Sequence, residues 1–413
     1  MSLRFIYHIL INITWLGLHV VALFNAKIKL FVHGRKQTFS ILKEKLAPGD
    51  KTIWMHVASL GEFEQGLPIL ERLRSQYPNH KLVLSFFSPS GYEVKKNTPA
   101  ADVVVYLPMD HLSNAKHFLK LVQPELAIFV KYEVWPNYLH QLKKQNIPTL
   151  LISAIFSKRQ IYFKAYGGFM RKSLQKFDAY FVQDDDSKKL LESIGIANAQ
   201  VGGDTRLDRV SEILERNNRL DFMDSFKNNQ LCLVAGSTWP EDEAILIDYI
   251  NHTKERLKLV IAPHQIKPSH IEKITAALKK NTVCYSELGN QNLKEVDVLI
   301  IDTIGLLTKI YSYANIAYVG GGFATGLHYT MEPAVFGIPI VIGPQFEGFK
   351  EAEDLVKAGG IVPVSSKDSF LNLMKDLLDH PTTLQNKGKI NSDYINSNKG
   401  ASDLIMKYVS TVL

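Results

Sequence analysis

The distribution of apolar positions along the chain predicts buried strands that alternate with amphipathic helices. From residue 52 onward, short runs that are apolar throughout are separated by longer stretches with helical spacing, such as Phe63–Tyr77, His111–Val122 and Asp184–Ile194. Strands without a polar face, joined by helices, are typical of parallel sheets that are covered on both sides. The first predicted series contains Thr52–Val57, Leu82–Phe87, Val103–Tyr106, Leu126–Val130, Thr149–Ile152, Ala179–Val182 and Gln200–Val201, and the second contains Leu231–Ala235, Leu259–Ala262, Val283–Tyr285, Val298–Ile301, Ile316–Val319, Pro339–Ile342 and Ile361–Val364.

These two series predict an α/β protein with two doubly wound, Rossmann-like lobes and a cleft between them. The charged stretch 207–229 separates the series and is predicted to be a linker. We therefore expect a first lobe over 37–206 and a second lobe over 230–413 that includes C-terminal helices. Ligands of such lobes bind beyond the carboxyl ends of the strands, where helix N-termini point.

Ahead of both lobes, residues 1–36 are predicted to form a membrane-associated helix with a basic flank. Phe5–Phe24 contains no Asp, Glu, Lys or Arg and is long enough to cross a hydrocarbon core. Polar and amphipathic residues recur on one face, which favours a helix in the membrane interface or one whose polar face lies against protein: His8, Asn12, Trp15 and His19. The basic residues that follow place the rest of the chain in the cytoplasm by the positive-inside rule: Lys27, Lys29, Arg35 and Lys36. A cleaved signal peptide and a buried core helix are the alternatives.

Composition narrows the functional classes. The 413 residues are 46% hydrophobic and 22% charged, which is ordinary for a globular protein and excludes disorder, collagen and coiled coil. Two cysteines, Cys232 and Cys284, are too few for a disulfide framework or a four-cysteine zinc site, and both are expected to be buried thiols. The net charge of +7 comes from scattered lysines and favours an anionic membrane or ligand over nucleic acid.

Two glutamates follow strands of the first lobe and are candidates for chemistry. Ser59-x-x-Glu62 fits a capping box, and the same carboxylate at a strand end is placed to act as a general base. Glu133 precedes the helix that Pro136 opens, where a negative charge either favours the helix dipole or faces a ligand. Trp135 is interpreted as a packing anchor.

Other charged residues of the first lobe have competing interpretations. Asp184–Asp186 begins a helix, and acidic residues in a first turn are interpreted as helix caps rather than metal ligands. Arg206 follows the last short strand and either binds an anion or forms a surface ion pair. No metal site and no cofactor are predicted.

The second lobe offers a glycine run, a histidine and a glutamate at strand ends. Gly320-Gly-Gly322 allows a ligand to approach the backbone closely, but its spacing to Gly326 does not fit a dinucleotide-binding motif. His264 follows a predicted strand and is either structural or directed at a ligand. Glu332 opens a short helix, where its carboxylate is able to accept hydrogen bonds from a ribose diol.

Taken in order, these motifs resemble those of the 3-deoxy-D-manno-octulosonic acid (Kdo) transferase family. The resemblance covers nearly the whole chain and rests on Ser59-Leu-Gly-Glu62, Glu133-Val-Trp-Pro-Asn137, Ala235-Gly-Ser-Thr238, Ala262-Pro-His264, Asp302-Thr-Ile-Gly305, Gly320-Gly-Gly322 and Glu332-Pro333. It implies a GT-B fold and inverting, metal-independent transfer of Kdo from CMP-Kdo to a lipid A precursor. The partners it implies are that donor, that acceptor and membrane lipid at the cytoplasmic face of the inner membrane.

The resemblance also implies roles for individual residues. Glu62 matches the family's general base, while Glu133 and Arg206 match residues that stabilise the transition state. The first lobe is then the acceptor-binding lobe and the second the donor-binding lobe. The residues that match its CMP-contacting stretches are Pro263, His264, Ile304, Gly305, Leu306, Tyr329, Thr330, Met331 and Glu332.

Three departures from the family pattern keep other functions open. A Pro-Arg-His motif is here Pro263-His264-Gln265, a Met-Gly-Glu motif is Ile304-Gly305-Leu306, and an Asn-Pro-Leu-Glu motif is Tyr329-Thr-Met-Glu332. These changes replace a permanent cation by a histidine and remove a carboxylate. The alternatives are another GT-B transferase or a nucleotide-sugar epimerase with a different donor, and a catalytically inactive membrane-bound nucleotide-sugar binder.

Overall fold

A computed structural model describes residues 3–289, 291–324 and 326–413, and it contains the predicted alternation of strands and helices. The strands are β1 Thr52–Val57, β2 Lys81–Phe86, β3 Val103–Tyr106, β4 Pro124–Val130, β5 Thr149–Ala154, β6 Ala179–Val182, β7 Ala199–Val201, β8 Leu231–Thr238, β9 Leu257–Pro263, β10 Thr282–Cys284, β11 Val298–Ile300, β12 Ile316–Val319, β13 Ile340–Ile342 and β14 Ile361–Pro363. Each predicted strand is present, with its ends moved by a few residues at most.

The helices fill the intervals between these strands and extend beyond them at both ends of the chain. They are α1 Leu3–Val21, α2 Ala26–Lys45, α3 Leu60–Gln76, α4 Pro89–Lys95, α5 Leu112–Val122, α6 Pro136–Lys144, α7 Gly168–Leu174, α8 Asp185–Glu192, α9 Thr205–Ser211, α10 Asp221–Lys227, α11 Pro240–His252, α12 Pro268–Ala277, α13 Leu307–Ile310, α14 Met331–Ala334, α15 Lys350–Ala358, α16 Lys367–Asp379, α17 Pro381–Asn398 and α18 Ala401–Val412.

Two parallel sheets organise the described residues. The first has the strand order β3-β2-β1-β4-β5-β6-β7, and the second has the order β10-β11-β9-β8-β12-β13-β14. Each sheet contains a switch point, where the strands on the two sides connect in opposite directions. These points lie between β1 and β4 and between β8 and β12, and ligands of open α/β sheets bind beside such points. The fold class predicted from the sequence is confirmed.

The chain divides into two compact units. The first comprises the chain up to Asp208 together with Asn398–Leu413, and the second is Arg209–Ser397. The division therefore differs from the predicted domains at the C-terminus, because Ile405, Met406 and Val409 of α18 pack into the core of the first unit. The segment 207–229, expected to be a linker, contains α10, whose Met223 and Phe226 are buried.

Both faces of the first sheet are buried, which explains why its strands lack a polar face. Trp54 of β1 packs into one core layer. Its neighbours Ile53, Met55 and Val57 pack into the layer on the other side. Alternate side chains of a strand point to opposite faces, so a strand covered by helices on both faces is apolar at nearly every position. His56 shares the face of Trp54 and is, with Thr52 at the start of the strand, a polar residue in β1.

The N-terminal helix α1 contacts the first unit through its polar face. The hydroxyl of Tyr7 donates a 2.6 Å hydrogen bond to Asp110, and His8 Nε2 lies 3.1 Å from the side-chain oxygen of Asn137. Trp15 packs beside a small cluster that includes Phe31 of α2. The opposite face exposes large apolar side chains: Leu3, Phe5, Ile6, Ile9, Leu10, Ile13, Leu16, Val20 and Val21. This helix is long and apolar enough to cross a membrane, a test that some core helices and signal sequences also pass.

Arg35, which the sequence assigns to the basic flank, is buried instead. Its guanidinium lies 3.5 Å from the centre of the Phe31 ring and donates a 2.6 Å hydrogen bond to the carbonyl of Phe87. Burial lowers the pKa of Arg35 to about 9. The side chain therefore ties α2 to the end of β2, and Lys27, Lys29 and Lys36 supply the exposed charge of the flank.

Candidate functional site

The switch point of the first sheet brings two glutamates to neighbouring strand ends. β1 and β4 pair in parallel, so the segments that follow Val57 and Val130 leave the sheet at the same edge. Glu62 lies in the first turn of α3 after β1, and Glu133 lies in the turn after β4. Burial and then the carboxylates of Glu62 and Glu133 raise the pKa of Tyr132, so both carboxylates act on the same phenol.

Glu62 completes the capping box that its spacing predicted. The backbone N–H of Ser59 donates a 3.1 Å hydrogen bond to Glu62 Oε2, and the Ser59 hydroxyl donates to the same oxygen. The other oxygen, Oε1, lies 3.9 Å from the Nζ of Lys131. Capping and ion pairing therefore engage different oxygens of one mostly buried carboxylate.

Lys131 reaches this position through an unusual backbone conformation. Its φ angle is +70°, and its N–H donates a 2.8 Å hydrogen bond to the carbonyl of Ile152 in the adjacent strand. A left-handed conformation is costly for a residue other than glycine, by about 1–3 kcal/mol, and such strain clusters at functional sites. The Lys131 ammonium lies 5.4 Å from the centre of the Tyr132 ring. Lys131 therefore adds a positive charge to the segment that carries Glu133.

Glu133 is held by aromatic residues. The indole N–H of Trp135 donates a 3.0 Å hydrogen bond to Glu133 Oε2, and His56 Nε2 lies 3.3 Å from the same oxygen. Trp135 packs 4.7 Å from the Phe87 ring, as a packing anchor would, but its N–H also positions the carboxylate. The Glu133 side chain is only 11% exposed.

Arg206 forms a bidentate ion pair with Asp204 at the end of β7. The shortest contact joins Arg206 Nη2 to Asp204 Oδ2 at 2.6 Å, and Arg206 Nε lies 3.0 Å from that oxygen. Burial alone would raise the pKa of Asp204, but the charge and hydrogen bonds of Arg206 hold it below its usual value. Gln65 of α3 also donates to Asp204 at 3.1 Å, which links this ion pair to the helix that carries Glu62.

In the second unit, glycines line the switch point between β8 and β12. A Cβ atom on Gly320 would lie 2.4 Å from the carbonyl oxygen of Ser237, and one on Gly322 would lie 2.8 Å from Gly343. Gly321 has a φ angle of +94°, and its N–H donates a 2.9 Å hydrogen bond to Asp242. These glycines are required by close backbone packing at the edge where a ligand would bind.

Three rings stack beside these glycines. The His264 ring lies parallel to the indole of Trp239 at 4.8 Å and 4.6 Å from the ring of His328. The indole N–H of Trp239 donates a 3.1 Å hydrogen bond to His328 Nε2, which therefore carries no proton. Burial, together with the nearby His264, lowers the pKa of His328 against the opposing charge of Asp242.

Asp242 holds the carboxyl edge of the second sheet together through hydrogen bonds. It is fully buried in the first turn of α11 and accepts hydrogen bonds from the Tyr318 hydroxyl at 2.7 Å and from the backbone N–H of Trp239 at 2.9 Å. Together with its bond from Gly321, the carboxylate joins the ends of β8 and β12 to one helix N-terminus. Asp242 thereby takes up these two N–H groups, so a phosphate at this edge would use the other N–H groups at the N-terminus of α11.

The remaining predicted donor-binding residues differ in exposure. Pro263 is the buried end of β9, and Thr330 and Met331 are buried at the start of α14. Glu332 accepts a 2.9 Å hydrogen bond from the Thr308 hydroxyl, and Tyr329 beside it is half-buried. The loop before α13 exposes Ile304, turns at Gly305 with a φ angle of +95°, and ends at Leu306, which precedes α13.

Other chemistry proposed from the sequence can be placed as well. Asp184 caps α8 by accepting a 2.8 Å hydrogen bond from the Ser187 N–H, as predicted. Both cysteines are buried free thiols, and burial raises the pKa of Cys232 to about 12. Within 3–289, 291–324 and 326–413, no group of three or more His, Cys, Asp or Glu residues is arranged to hold a metal ion.

Comparison with known proteins agrees with the resemblance read from the motifs. Residues 33–209 match the family model described as 3-deoxy-D-manno-octulosonic-acid transferase (kdotransferase). The 3-deoxy-D-manno-octulosonic acid transferase of Haemophilus influenzae is 26% identical, with 99% of each chain covered. The enzyme of the same name from Chlamydophila psittaci is 27% identical, covering 86% of this chain and 84% of its own.

Solved structures share the fold at low sequence identity. UDP-GlcNAc 2-epimerase from Neisseria meningitidis, bound to UDP-GlcNAc, has a TM-score of 0.59 at 15% identity and covers 87% of this chain and 100% of its own. MurG from Acinetobacter baumannii has a TM-score of 0.57 at 12% identity and covers 87% and 99%. Such neighbours establish the GT-B fold alone.

The fold and the sequence relatives together define a glycosyltransferase of the GT-B class. A family model over the first unit and relatives along the whole chain make the assignment more specific. The chain is similar to Kdo transferases over nearly its whole length.

Sequence reasoning found the glutamates but missed the residues that hold them. His56 lies inside an apolar strand, and Asp242 reads as an ordinary charge of a first helical turn. Lys131 and Asp204 directly neighbour motifs that were singled out, so their positions were the available signal.

Proposed function

We propose that this chain transfers Kdo from CMP-Kdo to a lipid A precursor, with inversion at the anomeric carbon and without a metal ion. The observation that carries the proposal is the pair of mostly buried carboxylates, Glu62 and Glu133, at neighbouring strand ends of the first switch point. The names of the relatives and the resemblance of the ordered motifs support the donor and the acceptor class.

Glu62 acts as the general base in this proposal. Its Oε2 caps α3, whereas Oε1 faces Lys131 and is the oxygen that takes the proton from the acceptor hydroxyl. Deprotonation proceeds as the hydroxyl oxygen attacks the anomeric carbon and CMP leaves from the opposite face. A positioned base contributes about 10²–10⁴-fold to such a reaction.

Glu133 and Arg206 act on charge that changes during transfer. Glycosyl transfer passes through an oxocarbenium-like state, whose positive charge a fixed carboxylate such as Glu133 stabilises. Arg206, oriented by Asp204, attracts the negative charge of the sugar carboxylate or the leaving phosphate.

The donor nucleotide binds to the second unit. The glycine loop lets the phosphate approach the backbone closely, the remaining N–H groups at the N-terminus of α11 bind it, and Glu332 accepts hydrogen bonds from ribose hydroxyls. The stacked rings of Trp239, His264 and His328 provide an aromatic surface beside them. With these groups, the single phosphate of CMP is neutralised without magnesium.

The N-terminal helix brings the enzyme to its lipid acceptor at the cytoplasmic face of the inner membrane. Its polar face contacts the first unit through Tyr7 and His8, so the exposed apolar face is the one available to lipid. Exposed Lys27, Lys29 and Lys36 follow the helix and favour the cytoplasmic side.

A direct assay tests the proposal. Purified protein in detergent is incubated with CMP-Kdo and a tetra-acylated lipid A precursor, and CMP release and product mass are measured. We expect CMP release that depends on the acceptor, together with a Kdo-sized mass gain on the lipid. Release of CMP without a lipid product, or turnover only with a UDP-sugar, contradicts it.

A further inference from the structure

A fully buried histidine lies behind the carboxylate of Glu133. His56 has no exposed surface, and the rings of Trp54, Phe129 and Trp135 surround it. A polar ring in such surroundings costs free energy unless both of its nitrogens have partners. The proposed mechanism assigns it no task, so its two contacts require a separate account.

The contact on one side of the ring gives Nδ1 a hydroxyl partner. The indole N–H of Trp54 donates a 2.8 Å hydrogen bond to Ser85 Oγ, and that oxygen lies 2.9 Å from His56 Nδ1. An indole N–H only donates, so the Ser85 oxygen accepts from Trp54, and its own hydroxyl hydrogen is available to Nδ1. With Nδ1 as the acceptor of that hydrogen, the ring proton lies on Nε2, the nitrogen that faces Glu133. The Ser85 carbonyl lies farther from Nδ1, at 3.1 Å, and would accept from the opposite tautomer.

The contact on the other side directs that proton to Glu133. His56 Nε2 is 3.3 Å from Glu133 Oε2, and the indole N–H of Trp135 lies within hydrogen-bond distance of both atoms, 3.0 Å from Oε2 and 3.1 Å from Nε2. A carboxylate only accepts, so its contact with Nε2 requires a ring proton there, and the Trp135 N–H is then directed to Oε2. Two ring N–H groups, one on the buried His56 and one on the half-buried Trp135, thus converge on one carboxylate oxygen. A carboxylate held in this way needs little reorganisation when positive charge develops near it.

We propose that His56 is a positioning residue for Glu133, with its Nε2–H directed at the carboxylate and its Nδ1 facing the Ser85 hydroxyl. The inference rests on the proposed function, in which Glu133 stabilises the oxocarbenium-like state. His56 does not contact the substrate and transfers no proton. Its effect on turnover passes through the placement of the carboxylate.

Two amide substitutions separate the two sides of the ring. In His56→Asn, the amide stands where Nδ1 was and does not reach Glu133, whereas in His56→Gln the amide N–H stands near Nε2 and is able to donate to the carboxylate. We expect His56→Asn to lower kcat about 10- to 100-fold, the effect of one hydrogen bond to a charged group, with KM for CMP-Kdo within about twofold. We expect His56→Gln to recover most of this loss.

A second histidine–glutamate pair in the same sheet supplies the matched control. His80 Nε2 lies 2.8 Å from Glu125 Oε2 near the start of β4, at the sheet edge opposite Glu133. His80→Asn removes a comparable contact and is expected to leave kcat unchanged. The pair of variants therefore separates loss of a histidine–carboxylate contact in general from loss of this one.

A double-mutant cycle and a spectrum complete the test. In a Glu133→Gln background, His56→Asn is expected to cost less than about twofold, because the carboxylate it positions is gone. Equal losses in His56→Asn and His56→Gln, or an undiminished loss in the Glu133→Gln background, would overturn the inference.

Nitrogen NMR of the imidazole is expected to show a proton on Nε2 and none on Nδ1, and an Nδ1–H signal would overturn the inference too. The spectrum needs no turnover, so it tests His56 even if CMP-Kdo proves not to be the donor.

Discussion

At the residue scale, Glu62 shows how one side chain serves both structure and chemistry. A carboxylate has two oxygens, and here Oε2 receives the hydrogen bonds of the capping box while Oε1 faces a lysine ammonium. The two interpretations of Ser59-x-x-Glu62 are thus compatible. A glutamine at this position keeps an acceptor for the cap but lacks a basic oxygen.

We predict that Glu62→Gln lowers turnover by at least about 10²-fold, because the proton of the acceptor hydroxyl loses its base. Binding of CMP, measured by calorimetry, is expected to stay within about twofold of the unmodified protein. Glu64→Gln, which alters a carboxylate 3.2 Å from Lys95 on the same helix, is the control and is expected to keep full turnover. Full turnover in Glu62→Gln removes Glu62 from the base role.

Gly320 illustrates a residue that is required by space rather than by chemistry. We predict that Gly320→Ala destabilises the protein by about 1–3 kcal/mol and weakens CMP binding, because its Cβ would lie 2.4 Å from Ser237 O. Gly168→Ala, with no neighbouring atom within 4 Å, is the control for thermal denaturation and CMP titration. An unchanged melting temperature and affinity in Gly320→Ala would show that the loop relaxes freely.

At the scale of elements, Asp110 joins the N-terminal helix to the body of the first unit. It accepts hydrogen bonds from the Tyr7 hydroxyl at 2.6 Å and from the backbone N–H of Asn137 at 3.0 Å. Burial raises the pKa of Asp110 to about 7, against these hydrogen bonds, which act to lower it. An unfolded aspartate has a pKa of about 3.9, so between about pH 4 and pH 7 the native state binds more protons than the unfolded state. The contribution of Asp110 to stability is therefore largest at low pH and falls as pH rises through this window.

We predict that Asp110→Asn reduces the drop in melting temperature between pH 5 and pH 8. The neutral amide does not titrate, so the part of the drop that Asp110 causes disappears. Asp186→Asn alters an exposed carboxylate and is expected to keep the full drop. Parallel melting curves of Asp110→Asn and the unmodified protein across this range would contradict the assignment of the shift to Asp110.

The strands could be predicted from the sequence, but most of the contacts that hold the site residues in place could not. Continuous apolar runs such as Thr52–Val57 determine a strand locally, and a charge placed directly after such a run, as at Glu133, marks the carboxyl edge. The contacts of His56 with Ser85 and Glu133 join three separate strands or loops. Such contacts depend on strand order, which the spacing of the motifs does not give. For the same reason the position of α18 could not be predicted, because the apolar face of a helix does not indicate which core it covers.

At the scale of the whole molecule, fold and reaction are separate conclusions. Epimerases that bind UDP-sugars share this architecture at 15% identity, so the two sheets alone do not determine what is transferred. The similarity to Kdo transferases comes from the sequence relatives, two of which cover most of this chain and carry the same enzyme name. The mechanism we propose adds roles for the carboxylates at the first switch point.

We predict that the exposed face of α1 anchors the molecule to lipid. Leu10→Glu with Leu16→Glu places two charges on this face, and we expect at least about a tenfold loss of binding to anionic vesicles in flotation, because burying a charge costs more than burying a leucine gains. Gln37→Glu with Ser40→Glu adds the same charge to the exposed side of α2 and is expected to weaken binding less. Equal losses in the two double variants would indicate that net charge, rather than the apolar face, governs association.

Kdo transfer by this protein is tested most directly by measuring acceptor-dependent CMP release from CMP-Kdo, followed by mass spectrometry of the lipid, for the unmodified protein and for Glu62→Gln. We expect CMP release and a Kdo-sized mass gain on the lipid A precursor with the unmodified protein, and at least about 10²-fold slower formation of both products with Glu62→Gln. Equal rates for the two proteins, or CMP release with no change in lipid mass, would contradict it.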